Sequence, residues 1–449
     1  MSTATAPSTL GWLGVIRLGL VQSALGAIII ICTSTLNRVM VVEIGLAAMV
    51  PGALVGLHYG VQMSRPHWGH GADEGGKRAP WIIGGMATLA VGAIGAAIAT
   101  AVMASSPWLG IALAVVAFAI IGVGVGAAGT NLLALLAART APNRKAAAAA
   151  IVWIMMIFGF VLTAGLSGQF LDPFTYSRLV VVTACVSAIA FAVATLAVWG
   201  LETKHEARKP VAAKSSSIGF KETLIEIWSE TTARRFTIFV FVSMLAYSAQ
   251  DLILEPFAGL VYDYTPGEST GLAGVQNGGV LLGMIITAIV GTTIGKSRAR
   301  FMRAWTFGGC IASALALAAL AGAAWTGPAW PLDPLVFALG LANGAFAVAA
   351  IGSMMTLASA AGDQREGIRM GLWGASQAIA FAIGGFAGAA ALDGVRTLLG
   401  EPNIAFTVVF AVEGALFAVA GGLALWVGRT SADDMTLPVL PAGDILPAE

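Results

Sequence analysis

Twelve apolar runs of roughly twenty residues each constrain this chain more than any other feature. They fall near 15–36, 44–63, 81–103, 108–137, 147–168, 179–200, 236–256, 271–294, 304–324, 334–361, 371–391 and 405–427. A run of that length crosses the hydrocarbon core of a bilayer as a helix, whereas barrel strands alternate over about ten residues. Composition closes the alternatives. Of 449 residues, 58% are hydrophobic and 10% charged, against roughly 25% charged in a soluble domain. That leaves too few charges to cover the surface of a soluble fold of this length. The expected class is an all-α membrane protein with twelve transmembrane helices. The first ten residues lack the basic start and cleavage site of a signal peptide, so the first run is expected to stay in the chain.

Charge placement fixes an expected orientation. Of the 24 Lys and Arg residues, 21 lie on the side that holds the N-terminus, and only Arg38, Arg178 and Arg396 lie opposite. The positive-inside rule then makes both termini cytoplasmic. The longest polar stretch, 201–235, splits the runs six and six. The expected organisation is an N-terminal six-helix bundle over 1–200, a cytoplasmic linker over 201–235, a C-terminal six-helix bundle over 236–428 and a cytoplasmic tail over 429–449.

The halves also repeat each other. Pro142-Asn143-Arg144 followed by Trp153 matches Asp363-Gln364-Arg365 followed by Trp373, and Arg38-x4-Glu43 matches Gln250-x4-Glu255, at offsets of 221 and 212. A duplicated six-helix unit gives parallel repeats about an axis normal to the membrane, the pattern of the major facilitator superfamily. The loop after the second run, Gly69-x3-Asp73-x2-Gly76-Lys77-Arg78, resembles that superfamily's signature. Asp73 there can pair with basic residues and pin two helices.

Polar side chains at membrane depth cost roughly 2.5–3.5 kcal/mol each for a central Asp, Arg or Lys, so each is a candidate site. The densest group is Asn37-Arg38 with Glu43, mirrored by Asp251 and Glu255 in the other half. Arg38 can pair with Glu43, or with Asp251 or Glu255 across the halves. Such a network can close the bundle, contact a substrate or couple to protons. His58 lies inside the second run between Gly56 and Gly60. Its imidazole could ligate the Mg of a chlorin or bond to a neighbouring helix. Trp153 and Trp373 sit at equivalent depths and could face a cavity. The Gly122-x-Gly124-x-Gly126 stripe lacks the preceding strand of a phosphate loop, so it reads as close helix packing and implies no nucleotide. Cys32, Cys185 and Cys310 are scattered through apolar runs without metal-ligand spacing, and no protein-bound metal is expected.

Leu36-Asn37-Arg38-Val39-Met40-Val41-Val42-Glu43, Leu57-His58-Tyr59, Arg65-Pro66-His67-Trp68-Gly69-His70-Gly71-Ala72-Asp73 and Gln250-Asp251-Leu252-Ile253-Leu254-Glu255-Pro256 resemble the PucC/LhaA family, a bacteriochlorophyll-delivery branch of the major facilitator superfamily. The resemblance covers about residues 14–428. It implies a light-harvesting antenna assembly factor of the bacterial inner (intracytoplasmic) membrane that binds bacteriochlorophyll as cargo and delivers it to antenna polypeptides. Bacteriochlorophyll synthase and the membrane insertion machinery are further partners it implies. Nucleic acid is not among them. The family has also been labelled a synthase subunit, but no loop carries the Asp-rich cluster that a prenyltransferase needs, so no enzyme is expected. His58, Asn37, Trp153 and Trp373 are the candidate pigment contacts. The competing expectation is a proton-coupled secondary transporter of a small solute. It is weakened because the central turns of runs one, four, seven and ten hold Gln22, Asn131 and Asn343 but no carboxylate.

Overall fold

A computed structural model describes the backbone of residues 10–64, 77–141, 144–202, 228–293, 298–360 and 366–433. Twelve long helices run through the described residues: α1 (Trp12–Glu43), α2 (Met49–Val61), α3 (Ala79–Met103), α4 (Pro107–Arg139), α5 (Lys145–Leu171), α6 (Tyr176–Val198), α7 (Thr231–Val261), α8 (Pro266–Thr293), α9 (Arg298–Thr326), α10 (Leu332–Ala360), α11 (Glu366–Leu399) and α12 (Pro402–Asp433). Eleven of them are long and apolar enough to cross a membrane. The protein is a multi-pass helical membrane protein.

The exception is α2. The second run, expected over 44–63, forms a helix only over Met49–Val61, closed by a 3₁₀ turn at Gln62–Ser64. Thirteen residues rise about 20 Å, short of a bilayer core. The lost turn went to α1, which runs seven residues past its expected end at 36. Gly45, at φ 75°, then stops it, and the Leu46 N–H closes the turn on the Met40 carbonyl at 3.0 Å. Only glycine adopts that left-handed φ freely. Similarly, α7 begins at Thr231 inside the stretch read as linker, and α12 continues to Asp433 past the expected tail boundary.

Two apolar cores form. One is built from α1–α6 and admits Leu252 of α7; the other is built from α7–α12 and admits Val41 of α1 and Ala48. Between the halves, α2 packs on α11, α5 packs on α8, and the end of α1 packs on α7. Glycines allow the close crossings: a Cβ on Gly124 would stand 2.5 Å from the Leu89 amide nitrogen. The face where α1 begins and α12 ends is called the proximal face below, and its opposite the distal face.

Candidate functional site at the α1–α7 crossing

The end of α1 is not a regular α-helix. Two π turns, Ile31–Thr35 and Val39–Glu43, flank Leu36–Arg38. A π turn brings residues i and i+5 onto one face, and such turns often mark functional positions. Here it explains an ion pair: Arg38 donates from Nη1 to the Glu43 carboxylate, five residues on. The repeat mates Gln250 and Glu255 lie on continuous α-helix in α7. There a five-residue spacing turns side chains about 140° apart, so this second pair does not close.

Glu255 instead faces the first half. It is buried, Arg38 acts on it electrostatically, and among the described residues neither of its carboxylate oxygens has a hydrogen-bond partner. Arg38 is 2% exposed while Glu43 keeps about a third of its side chain in contact with the surroundings. The Arg38 Nη2 donates to the Tyr264 carbonyl at 2.5 Å, beyond the end of α7. Asn37 donates to the Leu252 carbonyl at 2.6 Å, and its Oδ1 is buried without a partner. Thr35 and Thr270 share a hydrogen bond at 3.1 Å, tying α1 to α8. Three polar residues of α1, Thr35, Asn37 and Arg38, thus reach into the opposite half.

Asp251 is not part of this group. Its side chain is hydrogen-bonded by Gln276 and acts on Tyr247 and Glu413 inside the second half. The expected network therefore divides into Arg38, Glu43 and Glu255 at the crossing and Asp251 elsewhere. Both α7 carboxylates lie within the helix, because α7 continues to Val261 rather than ending at 256.

His58 is buried on α2. Its Nδ1 lies 3.1 Å from the Val55 carbonyl and its Nε2 2.8 Å from the Gln62 side-chain nitrogen, so both ring nitrogens are engaged. Trp153 and Trp373 occupy equivalent positions but unlike surroundings. Trp153 is 36% exposed on α5. Trp373 is fully buried on α11, 4.8 Å from the Phe236 ring, with no partner for its indole nitrogen. Gly69, Asp73 and Gly76 lie outside the described residues. Lys77 and Arg78 border them, and the Glu202 carboxylate accepts from the Arg78 and Ala79 amides at 2.9 and 2.7 Å, capping α3.

An apolar groove of about 340 Å³ lies between α8, α9 and α10. Gly283, Trp305, Gly308, Gly309 and Ala342 line it. The Trp305 indole N–H is spent on the Thr287 hydroxyl at 2.6 Å, so the groove offers little besides hydrocarbon contact.

Reading the apolar runs alone missed Glu413, Asp172, Asp393 and Glu202. Glu413 carried the same signal as Glu255, a carboxylate inside an apolar run. The two Asp residues sit at run ends, where polar side chains attract no notice.

Solved structures with the same architecture include a peptide transporter, POT, in complex with sulfate. It is 16% identical, with a TM-score of 0.67 over 94% of this chain and 96% of that one. A D-xylose-proton symporter superposes with a TM-score of 0.67 at 15% identity, over 92% and 96%. At such identities the likeness shows the fold alone, which is the major facilitator arrangement expected from the repeat. A protein of Rhodobacter capsulatus named "Bacteriochlorophyll synthase 44.5 kDa chain" is 49% identical over 93% of this chain and 96% of its own length. "Protein PucC" of Cereibacter sphaeroides is 27% identical over 90% and 89%. The family model described as "PUCC protein" matches residues 35–431, from the second half of α1 almost to the end of α12. The chain belongs to the PUCC family.

Proposed function

We propose that the protein serves the photosynthetic apparatus as an assembly factor, holding bacteriochlorophyll within the inner membrane and handing it to light-harvesting antenna polypeptides. Family membership and the bacteriochlorophyll named in a 49% identical relative support this reading. The structural observation that supports it is the apolar groove of about 340 Å³ between α8, α9 and α10. A chlorin with an isoprenoid tail is almost wholly apolar. It needs lateral entry from the membrane and a few orienting polar groups rather than an aqueous channel. Handover needs no bond making, and the sequence holds no Asp-rich diphosphate site, so the synthase name describes another chemistry. The bias of basic residues toward the proximal side supports a cytoplasmic proximal face with both termini there.

Of the candidate pigment contacts, Trp153 is the exposed one. Ligation of Mg by His58 requires its Gln62 bond to break. A second reading, proton-coupled movement of a small solute, gains from Glu255 lying buried inside α7 rather than at its end.

The test is a clean deletion in a phototrophic host without a second family member. Assembled antenna absorption falls while pigment synthesis continues. Normal antenna absorption in that strain contradicts the proposal.

A further inference from the structure

Glu413 is the most deeply placed charge that the crossing between the halves does not use. It lies mid-way along α12 and is 2% exposed, and among the described residues neither carboxylate oxygen has a hydrogen-bond partner. A carboxylate moved out of water and left unpaired is among the costliest arrangements a fold can hold, so such groups acquire a compensating positive charge. Among the described residues the surroundings do not supply one from a side chain. α12 packs on α9, α7 and α11, and the titratable group among the described residues that acts on Glu413 is Asp251 of α7, a second acid. Asp251 in turn faces Gln276 of α8 and Tyr247, and Tyr247 faces Tyr59 of α2. None of these is a cation.

The neutral polar groups at this depth fit the same picture. Gly414, next to Glu413, packs on Ala314 of α9. The adjacent Ser313 donates to Asn343 of α10 at 2.8 Å, and the Asn343 amide nitrogen is buried without a partner. Glu413, Asp251 and Gln276 thus come together from α12, α7 and α8, while Ser313 and Asn343 join α9 to α10. Among the described residues no group of three or more His, Cys, Asp or Glu is placed to hold a metal. A divalent ion wants more charged oxygens than two acids give, which leaves a single positive charge.

We propose that the interior of the C-terminal half holds a monovalent-cation site, for a proton or an alkali ion, built on Glu413 and Asp251 with Gln276 as a neutral neighbour. The site is separate from the α1–α7 crossing and stands whichever cargo the protein carries. It gives the second half a charge state that an ion gradient across the membrane can set.

The experiment follows the thermal midpoint of the full-length protein in detergent, as wild type, Glu413→Gln and Asp251→Asn. A ligand that binds the folded state raises its stability with ligand activity. A proton site makes the wild-type midpoint climb as pH falls. An alkali site makes it climb with sodium chloride against choline chloride at fixed pH. In either case both amide variants lose that dependence, and identical responses in wild type and both variants overturn the proposal. A second measurement does not depend on the variants folding. Dicyclohexylcarbodiimide, which modifies protonated carboxyls in apolar surroundings, labels the peptide containing Glu413 in the wild-type protein. Sodium protects against labelling only if the site takes alkali ions. Folded wild-type protein that stays unlabelled there at every pH and sodium concentration also overturns the proposal.

Discussion

Asp172 and Asp393 are repeat mates 221 positions apart, and each caps the start of a helix in the opposite half. Asp172, just past α5, accepts from the Thr265 hydroxyl at 2.6 Å and the Gly267 amide at 3.2 Å, where α8 begins. Asp393, in α11, accepts from the Ala48 and Met49 amides at 3.0 and 2.7 Å, where α2 begins. A carboxylate there satisfies orphan N–H donors and meets the positive end of the helix dipole. Thr265 and Glu268 add a capping box of their own, with reciprocal bonds of 2.9 and 3.1 Å. The two clamps hold the distal ends of the halves together.

Replacing either clamp by Asn is expected to cost about 0.5–2 kcal/mol, the usual worth of an N-cap. The two share no partner, so the double variant should lose close to the sum. Thermal unfolding measures the cost. Accessibility of a cysteine placed beside Met49 measures whether the distal face loosens. An unchanged midpoint in the double variant would show that the caps are incidental.

Arg38 is ion-paired with Glu43 and acts electrostatically on Glu255, and the two acids differ in burial. Glu43 can find water when its partner is lost, whereas Glu255 cannot. Arg38→Gln should therefore lower stability, because it removes the cation that acts on the buried Glu255. Adding Glu255→Gln should recover part of that loss, while adding Glu43→Gln should recover little. Membrane abundance and thermal midpoint report both. Strictly additive losses with Glu255→Gln would argue against the cross-half pairing.

With both ring nitrogens of His58 bonded within α2, His58→Leu should lower stability by about 1–3 kcal/mol. Pigment occupancy should stay unchanged. Lost pigment with intact stability would instead make His58 the Mg ligand.

Tyr264 ties the distal loop to α10 by donating to Asp333 at 3.1 Å. Burial first, then the Asp333 carboxylate, pushes its hydroxyl up from 10.0 to about 12. An acid whose folded-state value is raised lends stability below its unfolded value and loses it as pH rises. The wild-type thermal midpoint should therefore drop between pH 10 and 12, and Tyr264→Phe should remove part of that drop. An identical alkaline profile in both proteins would leave the tyrosine without a role there.

The fold was largely legible because a membrane allows few structures and their length is set by its thickness. Eleven helices fall where apolar runs stand. α2 departs because Gly45 and the irregular turn before Met49 are local backbone choices that hydropathy does not register. The site was legible in composition but not in geometry. The run of polar residues from Asn37 was read as the gap between two helices. In fact α1 continues through it, since Asn37 and Arg38 find acceptors on the opposite half. The π turns that bring Glu43 to Arg38 leave no mark in the sequence, so Arg38-x4-Glu43 and Gln250-x4-Glu255 read alike and fold differently. Glu413 was visible as a lone carboxylate in an apolar run, yet its isolation from any cation appears only in three dimensions.

The most direct test of the account is the absorption spectrum of the full-length protein purified in mild detergent from pigment-replete photosynthetic membranes. Near-infrared-absorbing bacteriochlorophyll should co-purify in fixed proportion to the protein and diminish when Gly308, where a Cβ meets open space, is enlarged to Leu to fill the groove. Folded protein that emerges from such membranes free of pigment would contradict the delivery reading.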